Sequence, residues 1–193
     1  MYSIFALILG VSQIAALVVF PLISRHFERR TLYAFSTGLV VAGYVIFFFA
    51  PLDTMLFIGI AGVLLFIGQA FIQLMMLMFL ADTVEYGFWK SGRRNDSVTF
   101  SIQPFINKMG GAVASGVVSA TVIVSGIKDA QSAEQVTAGG LLMMKMAMMI
   151  FPLLCILAGF LLYLKKHKID SSLYARILKE LRERGDIRTG EGE

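Results

Sequence analysis

The sequence is poor in charged residues and in cysteine. Asp, Glu, Lys and Arg make up only 16% of its 193 residues, and they stand in short blocks with long uncharged runs between them. A soluble domain of this length would spread its charges over its surface, so the pattern excludes a soluble globular protein. The single Cys155 excludes a disulfide within the chain and gives no metal-ligand spacing.

The sequence also lacks the short motifs of the common enzyme classes. It contains no nucleotide-binding loop, hydrolytic triad or metal-ligand cluster, so we predict a protein that is not an enzyme and binds neither ATP nor a metal. The net charge of +4 reflects orientation in a membrane and does not indicate a nucleic-acid partner. No signal peptide is apparent, since the first residues lack a basic region and a cleavage site.

Long apolar segments account for most of the chain and predict an all-α polytopic membrane protein. About 20 helical residues cross a hydrocarbon core of about 30 Å. The five predicted spans cover about residues 4–23, 32–50, 54–81, 98–124 and 136–164. The short turn from Pro51 to Asp53 makes spans two and three a hairpin. Residues 165–193 predict a basic tail whose amphipathic helix begins near Ser171 and lies on the membrane surface.

Basic residues are concentrated on one side of the predicted bundle. Fourteen of the 17 Lys and Arg residues lie in the blocks that follow spans one, three and five, whereas the other two loops contain only Lys128. The positive-inside rule therefore places these blocks, and the C-terminus, in the cytoplasm. Five spans then put the N-terminus outside. We expect the chain to be the C-terminal part of a longer membrane protein whose preceding helix and other half are missing.

Two motifs stand close together in the middle of the chain. The first is A-D-T-V-E-Y-G at residues 81–87, and the second is Q-P-F-I-N-K-M-G at residues 103–110. Together they resemble the signatures of the glycoside–pentoside–hexuronide:cation symporters, the melibiose permease family of the major facilitator superfamily. The resemblance covers essentially the whole chain, from the R-H-F-E-R-R loop to the basic tail.

This resemblance implies that the five spans are similar to helices eight to twelve of a twelve-helix carrier. It implies transport of a sugar or glycoside coupled to Na+ or H+, with no other cofactor, in the bacterial inner membrane. The partners are then membrane lipid, the sugar and the missing N-terminal half, where the family carries its cation-coordinating carboxylates and most sugar contacts. The alternative is a truncated membrane remnant or interaction subunit that transports nothing.

Lys108 is the charged residue that the sequence places deepest in a span. It follows Ser97, at the inner interface, by 11 residues and so lies about 16 Å deep, near the bilayer midplane. A lysine at that depth marks a transport pathway or pairs with an internal carboxylate for assembly alone. Pro104 removes a backbone donor one turn earlier and predicts a loosened helix. The family resemblance places Lys108 and Gln103 close to the sugar and cation sites.

Other polar residues complete the predicted pathway. Gln73 lies nine residues above Asp82, about 13 Å, where an amide either bonds another helix or offers a hydrogen bond to a sugar hydroxyl. Ser101 shares a face with Lys108 on an ideal helix. The predicted substrate and cation pathway comprises Lys108, Gln103, Asn107, Gln73 and Ser101.

Charged residues at the inner end of span three predict a gate. Asp82 and Glu85 stand three residues apart and therefore project from one face. We expect ion pairs with Arg25, Arg29, Arg30 or Arg94 that close the inner side of a rocking transporter. The alternative is a set of ordinary interfacial charges, each worth less than about 1 kcal/mol when exposed. The predicted gate residues are Asp82, Glu85, Arg94, Asp96 and Arg29.

Span four also carries small residues at regular spacing. Gly111, Ser115 and Ser119 repeat every four residues, as does a second row that includes Gly116, and such rows predict faces for close helix packing. Lys145 lies 20 residues above the basic block of the tail, hence at the outer interface, where a lysine can snorkel to water.

Overall fold

A computed structural model describes residues 2–50, 55–129, 135–166 and 171–186, and these residues form helices and turns without a strand. The elements, in chain order, are α1 (Tyr2–Ser24), α2 (Arg29–Phe49), α3 (Met55–Ser91), α4 (Asp96–Val124), a 3-10 turn (Ile127–Asp129), α5 (Ala138–Lys145), a π-helical segment (Met146–Ile150), α6 (Phe151–Lys166) and α7 (Ser171–Glu183). The predicted all-α class is confirmed. The predicted hairpin turn from Pro51 to Asp53 lies outside the described residues.

Four helical stretches are long and apolar enough to cross a membrane. They are Arg29–Phe49, Leu56–Ser91, Asp96–Val124 and Ala138–Lys165, the last of which includes the π segment. Within α1, the residues Leu9–Ser24 form a shorter apolar helix. The chain is therefore a polytopic membrane protein, as predicted, while its division into five spans and a cytoplasmic tail stays a prediction.

Glycines let α2 and α3 pack closely along one another. A Cβ atom on Gly43 of α2 would lie 2.7 Å from Cγ of Leu65 on α3. A Cβ atom on Gly68 of α3 would lie 2.6 Å from Cγ2 of Val40 and 2.9 Å from the carbonyl oxygen of Ser36. Since lipid tails are as apolar as leucine, helices in a membrane associate mainly by such close backbone approach. The α2–α3 pair is consequently the most extensive contact between two helices in the part of the chain that the structure describes.

Further side chains join α1 and α6 to this pair. A buried cluster connects α1, α2 and α3 and contains Ala16, Phe20, Leu32, Ala70, Phe71 and Met75. Tyr33 of α2 lies 4.7 Å from Tyr163 of α6 between ring centroids and 5.7 Å from Phe79 of α3. Aromatic rings at these separations stabilise the contact by more than the burial of their apolar surface alone. One bundle thus contains α1, α2, α3 and α6.

By contrast, α4 lies at the edge of this bundle. Among its described residues, only Thr121 is buried. The helix continues without interruption through Pro104, so the predicted loosening near Lys108 does not break it. The glycines of the small-residue rows have no close neighbour in the described part of the chain, because a Cβ atom on Gly111 or Gly116 would meet no atom within 4 Å there.

The tail helix α7 begins at Ser171, as predicted, and has a protein contact that the sequence did not indicate. Its residues Ile177 and Leu181 are completely buried, and the helix packs against α3. The apolar stripe of α7 thus packs on α3, while the position of the helix on the membrane surface stays a prediction. An amphipathic stripe requires only an apolar partner, and here that partner is protein and not lipid.

Candidate functional site

A buried ion pair joins two of the predicted gate residues. Arg29, the first residue of α2, pairs with Asp82, nine residues before the end of α3. The side chain of Asp82 is only 1% exposed and that of Arg29 is 25% exposed. A carboxylate removed from water in this way stays charged only when a cation compensates it. The close packing of α2 on α3 holds the two residues together.

Tyr174 of α7 lies over this ion pair. Its ring centroid is 4.4 Å from Cζ of Arg29, which is a cation–π contact. Its hydroxyl donates a hydrogen bond to Glu85, the second predicted gate carboxylate. Burial, together with this bond to Glu85, raises the pKa of Tyr174 to about 12. Tyr174 therefore links Arg29 to Glu85 and stays neutral throughout the physiological range.

A second contact attaches α7 further along α3. Nε1 of Trp89 donates a hydrogen bond of 2.6 Å to Oε2 of Glu180, and Nε of Arg176 donates one of 2.8 Å to Oε1 of the same residue. Nη1 of Arg184 donates to the carbonyl oxygen of Trp89 at 3.4 Å. The bonds from Trp89 and Arg176 lower the pKa of Glu180. Glu180 is consequently an ionised acceptor between the two helices at neutral pH.

The other two predicted gate residues pair with each other. Nε of Arg94 lies 2.8 Å from Oδ2 of Asp96, and the two side chains are 51% and 42% exposed. An ion pair so open to water contributes less than about 1 kcal/mol. The structure thus assembles Arg29, Asp82 and Glu85 around Tyr174 and leaves Arg94 with Asp96 as a local pair at the start of α4.

The position of the Arg29–Asp82 pair limits what it can do. It connects two helices that pack along each other within a single bundle. A rocking movement of this bundle against another would leave the pair intact. Glu85 differs, because among the described residues it forms no ion pair, whereas Asp82 has Arg29, and its buried Oε2 atom accepts no hydrogen bond there. Of the two carboxylates, Glu85 has the capacity for a further cationic partner.

The predicted pathway residues are mostly exposed in this chain. Ser101, Asn107 and Lys108 of α4 are exposed, Gln103 is half-buried, and Gln73 of α3 is exposed. The hydroxyl of Ser101 donates to the carbonyl oxygen of Val98 at 2.8 Å. Across the described ranges, no carboxylate forms an ion pair with Lys108. This chain alone therefore presents the predicted pathway as an uncovered surface and not as a closed site.

An apolar groove follows α4 on its other flank. It has a volume of about 680 Å³ and runs between α4 and the π segment with α6. Val113 and Val117 line it from α4, and Met148, Phe151 and Cys155 line it from the opposite wall. The groove contains no charged residue, so it offers packing surface and no chemistry.

Three residues that join α7 to α2 and α3 around the Arg29–Asp82 pair were missed in the sequence. They are Tyr174, Trp89 and Glu180. A signal for them exists, since Tyr174, Ile177 and Leu181 share one stripe of α7 and the chain's only tryptophan stands next to the A-D-T-V-E-Y-G motif. What the sequence does not contain is the information that this stripe meets α3.

The comparisons with known proteins agree with the motifs. A family model described as MFS/sugar transport protein matches residues 1–171. The raffinose carrier protein of Pediococcus pentosaceus is 32% identical over 180 residues, which are 93% of this chain and 28% of that protein. The lactose permease of Lactobacillus delbrueckii subsp. bulgaricus is 29% identical over 162 residues, 84% of this chain and 26% of that protein.

A third relative, the isoprimeverose transporter of Lactiplantibacillus pentosus, is 28% identical over 138 residues, which cover 68% of this chain and 28% of that protein. The chain thus spans little more than a quarter of the length of these relatives. All three are named as carriers, permeases or transporters, which confirms the prediction that the chain is not an enzyme.

Proposed function

Because the chain belongs to the MFS/sugar transport protein family, as its motifs predicted, we propose that it forms the C-terminal part of a carrier that couples the movement of a sugar or glycoside to Na+ or H+. The observation that carries this proposal is α4. It is a helix of membrane-spanning length with a lysine in its middle third and almost no buried residue. Such a helix needs a partner that the described part of the chain does not supply.

The cost of exposing Lys108 to lipid identifies what that partner provides. A lysine near the bilayer midplane is expensive unless it faces a water-filled cavity or a carboxylate. The missing N-terminal half supplies both in this proposal, and Gln103, Asn107 and Ser101 then line the same cavity as Lys108. A coupling cation that enters this cavity competes with the ammonium of Lys108 for the carboxylate, which links sugar movement to cation movement.

The inner side of the carrier has a division of roles in this proposal. The Arg29–Asp82 pair braces α2 against α3, because both residues belong to one bundle. Glu85 closes the gate, since its buried Oε2 atom is available to a cation from the other half. A contribution of Arg94 and Asp96 to the gate stays a prediction. Because both side chains are exposed, their ion pair would stabilise a closed gate only weakly.

The membrane orientation is part of the same proposal. The chain is a multi-pass membrane protein, and we place it in the bacterial inner membrane with its C-terminus in the cytoplasm, following its basic blocks. Single cysteines at Ser91 and Lys128, introduced with Cys155→Ser, test this orientation. A membrane-impermeant maleimide added from outside should label the cysteine at 128 and not the one at 91. The reverse pattern would contradict the proposed orientation.

Uptake measurements test transport directly. We expect the chain alone to insert into vesicles and accumulate no labelled sugar above empty vesicles, because one wall of the site is missing. Joined to the N-terminal part of the raffinose carrier of Pediococcus pentosaceus, it should accumulate sugar when a Na+ or H+ gradient is imposed. The intact raffinose carrier is the positive control. Gradient-driven uptake by this chain alone would overturn the proposal that it is one part of a carrier.

A non-transporting membrane protein is the second candidate. The bundle of α1, α2, α3 and α6 has a buried core of its own, so it has the means to fold without a partner. A joined carrier that reaches the membrane in folded form and moves no sugar under either gradient would favour this candidate.

A further inference from the structure

The helix α7 contacts both the Arg29–Asp82 pair with Glu85 and the end of α3 at Trp89. Tyr174 lies on Arg29 and bonds Glu85, while Glu180 accepts the hydrogen bond of Trp89 one turn below. Ile177, between them in sequence, is fully buried. One short helix therefore contacts both the Arg29–Asp82 pair and Glu85, the carboxylate of the proposed gate.

We propose that α7 is a latch on the inner side of the carrier: when docked on α3 it strengthens the Arg29–Asp82 pair through Tyr174 and holds Glu85 through the hydroxyl of the same residue, and it must release Glu85 for the inner side to open. This regulation rests on the proposed function for its consequence in transport. The coupling between α7 and the ion pair belongs to this chain alone, however, and is measurable without transport.

The construction of α7 makes its docking reversible. It has 13 residues, and isolated helices of that length are marginal in water. Two fully buried side chains, the Tyr174 contacts and the Trp89–Glu180 bond hold it in place. Elements with so few buried contacts open at a lower free energy than the core of a protein. The latch is accordingly weaker than the α2–α3 contact beneath it.

Reciprocity gives the latch a measurable signature. If docked α7 stabilises the Arg29–Asp82 pair by some factor, then the intact pair must strengthen the docking of α7 by the same factor. Asp82 lies seven residues before Trp89 on α3, about 10 Å along the helix. A change at Asp82 should therefore reach the Trp89–Glu180 contact only through Arg29 and Tyr174.

Fluorescence of Trp89 reports docking without an added probe. Trp89 is the only tryptophan of the chain, and its indole N–H donates to Glu180 of α7. Acrylamide quenching of the full chain in phosphatidylcholine nanodiscs then measures the docking equilibrium. Tyr174→Leu removes the contact on Arg29, Asp82→Asn removes the charge of its partner, and the double variant tests whether the two effects are coupled.

We expect Asp82→Asn to lower the docking equilibrium constant about fivefold, at the lower end of measured couplings between sites. The double variant should fall no further than Tyr174→Leu alone. Thr83→Ala, on the same turn of α3 with an exposed side chain, and Glu183→Gln, on the exposed face of α7, are matched controls and should leave quenching unchanged. Effects of Asp82→Asn and Tyr174→Leu that multiply independently would overturn the latch.

A gentler variant covers the case in which Asp82→Asn fails to fold, as judged by circular dichroism. Tyr174→Phe keeps the ring on Arg29 and removes the hydroxyl bond to Glu85. It should weaken docking less than Tyr174→Leu does, and equal weakening would show that Arg29 takes no part and would overturn the latch.

The joined carrier tests the consequence in transport. With Leu181→Ala, which loosens α7, we expect steady-state sugar accumulation to fall severalfold while downhill efflux persists, because the inner side leaks. Normal accumulation with a released α7 would overturn the latch. If the unchanged joined carrier moves no sugar, the proposed function fails instead, and the quenching experiment still decides the latch.

Discussion

The helices α3 and α4 follow each other in the chain and differ in how far this sequence alone determines their surroundings. Along α3, Ala61, Ala70 and Met75 are completely buried, and its buried Asp82 has a cation within the chain. Along α4, the best membrane-spanning window contains no buried residue, and Lys108 is exposed. The difference teaches that one face of α3 already has its partners within the described chain, whereas α4 is a surface prepared for another part.

The C-terminal end of α3 and the N-terminal end of α4 give the largest expected contrast. Arg29→Ala leaves Asp82, which is 1% exposed, without its cation. We expect the free energy of unfolding to fall by about 3–5 kcal/mol, the cost of an uncompensated buried charge. Arg94→Ala removes the cation of an exposed pair and should cost less than about 1 kcal/mol. Denaturant unfolding in nanodiscs, followed by circular dichroism, measures both, and equal losses would remove the contrast.

Glycine replacements sharpen the comparison inside the membrane. Gly68→Val places atoms where Val40 and the Ser36 carbonyl already lie, and overpacking of this kind typically costs about 1–3 kcal/mol. Gly116→Val on α4 meets open space within this chain and should stay within about 0.5 kcal/mol of the unchanged protein. The same unfolding measurement applies. A larger loss for Gly116→Val would mean that α4 already has a partner, such as a second copy of the chain.

Alkaline pH should loosen α7 without affecting α4. The pKa of Tyr174 is raised from 10.0 to about 12 when the helix is docked, because burial and the bond to Glu85 favour the neutral phenol. Its contribution to docking is therefore complete below pH 10 and is lost as the pH rises from 10 to about 12. Acrylamide quenching of Trp89 should increase in this window.

Tyr174→Phe is the control for this titration, since phenylalanine carries no ionisable group and every other residue is unchanged. An identical alkaline transition in Tyr174→Phe would assign the change to other groups.

Lys108→Ala should have the smallest effect on this chain by itself, with an unfolding free energy within about 0.5 kcal/mol of the unchanged protein, because its side chain is exposed. In the joined carrier the same change should abolish accumulation, and Lys108→Arg should restore it only in part, since guanidinium keeps the charge but not the compact geometry. Lys145→Ala is the control and should be mild. Equal, near-normal accumulation in both Ala variants would contradict a pathway role for Lys108.

The features that sequence reasoning reached are those whose cause is local. Low charge and long apolar runs predicted the all-α membrane fold, because a helix must satisfy its own backbone in lipid. The spacing of Asp82 and Glu85 predicted carboxylates on one face, and Arg29 was among the expected cations. The partner of Lys108 was beyond prediction for a different reason, since no described part of the chain contains it.

The features that were missed depend on contacts between distant segments. The stripe of α7 with Ile177 and Leu181 is compatible with lipid or with protein, and nothing within those 13 residues distinguishes the two. The close approach at Gly68 likewise depends on the register of α2 against α3. The π segment was missed because residues 136–164 are almost uniformly apolar. Such a segment shows no alternation of polar and apolar faces from which a change in helical winding could be recognised.

The π segment has a consequence for the two ends of the last span. The N–H of Phe151 donates to the carbonyl oxygen of Met146, five residues earlier, and Pro152 next to it has no N–H to restore the usual bond. One extra residue in a turn rotates everything before it by about 100° relative to everything after it.

The two parts of the span contact different neighbours: a Cβ atom on Gly140 of α5 would lie only 2.4 Å from the carbonyl oxygen of Ser125, while Tyr163 of α6 faces Tyr33. Deleting Ala147 would restore an ordinary helix and turn one of these two faces away from its neighbour. The two ends of the last span thus present differently oriented faces to the rest of the protein, because a single π turn in the middle changes the helical register.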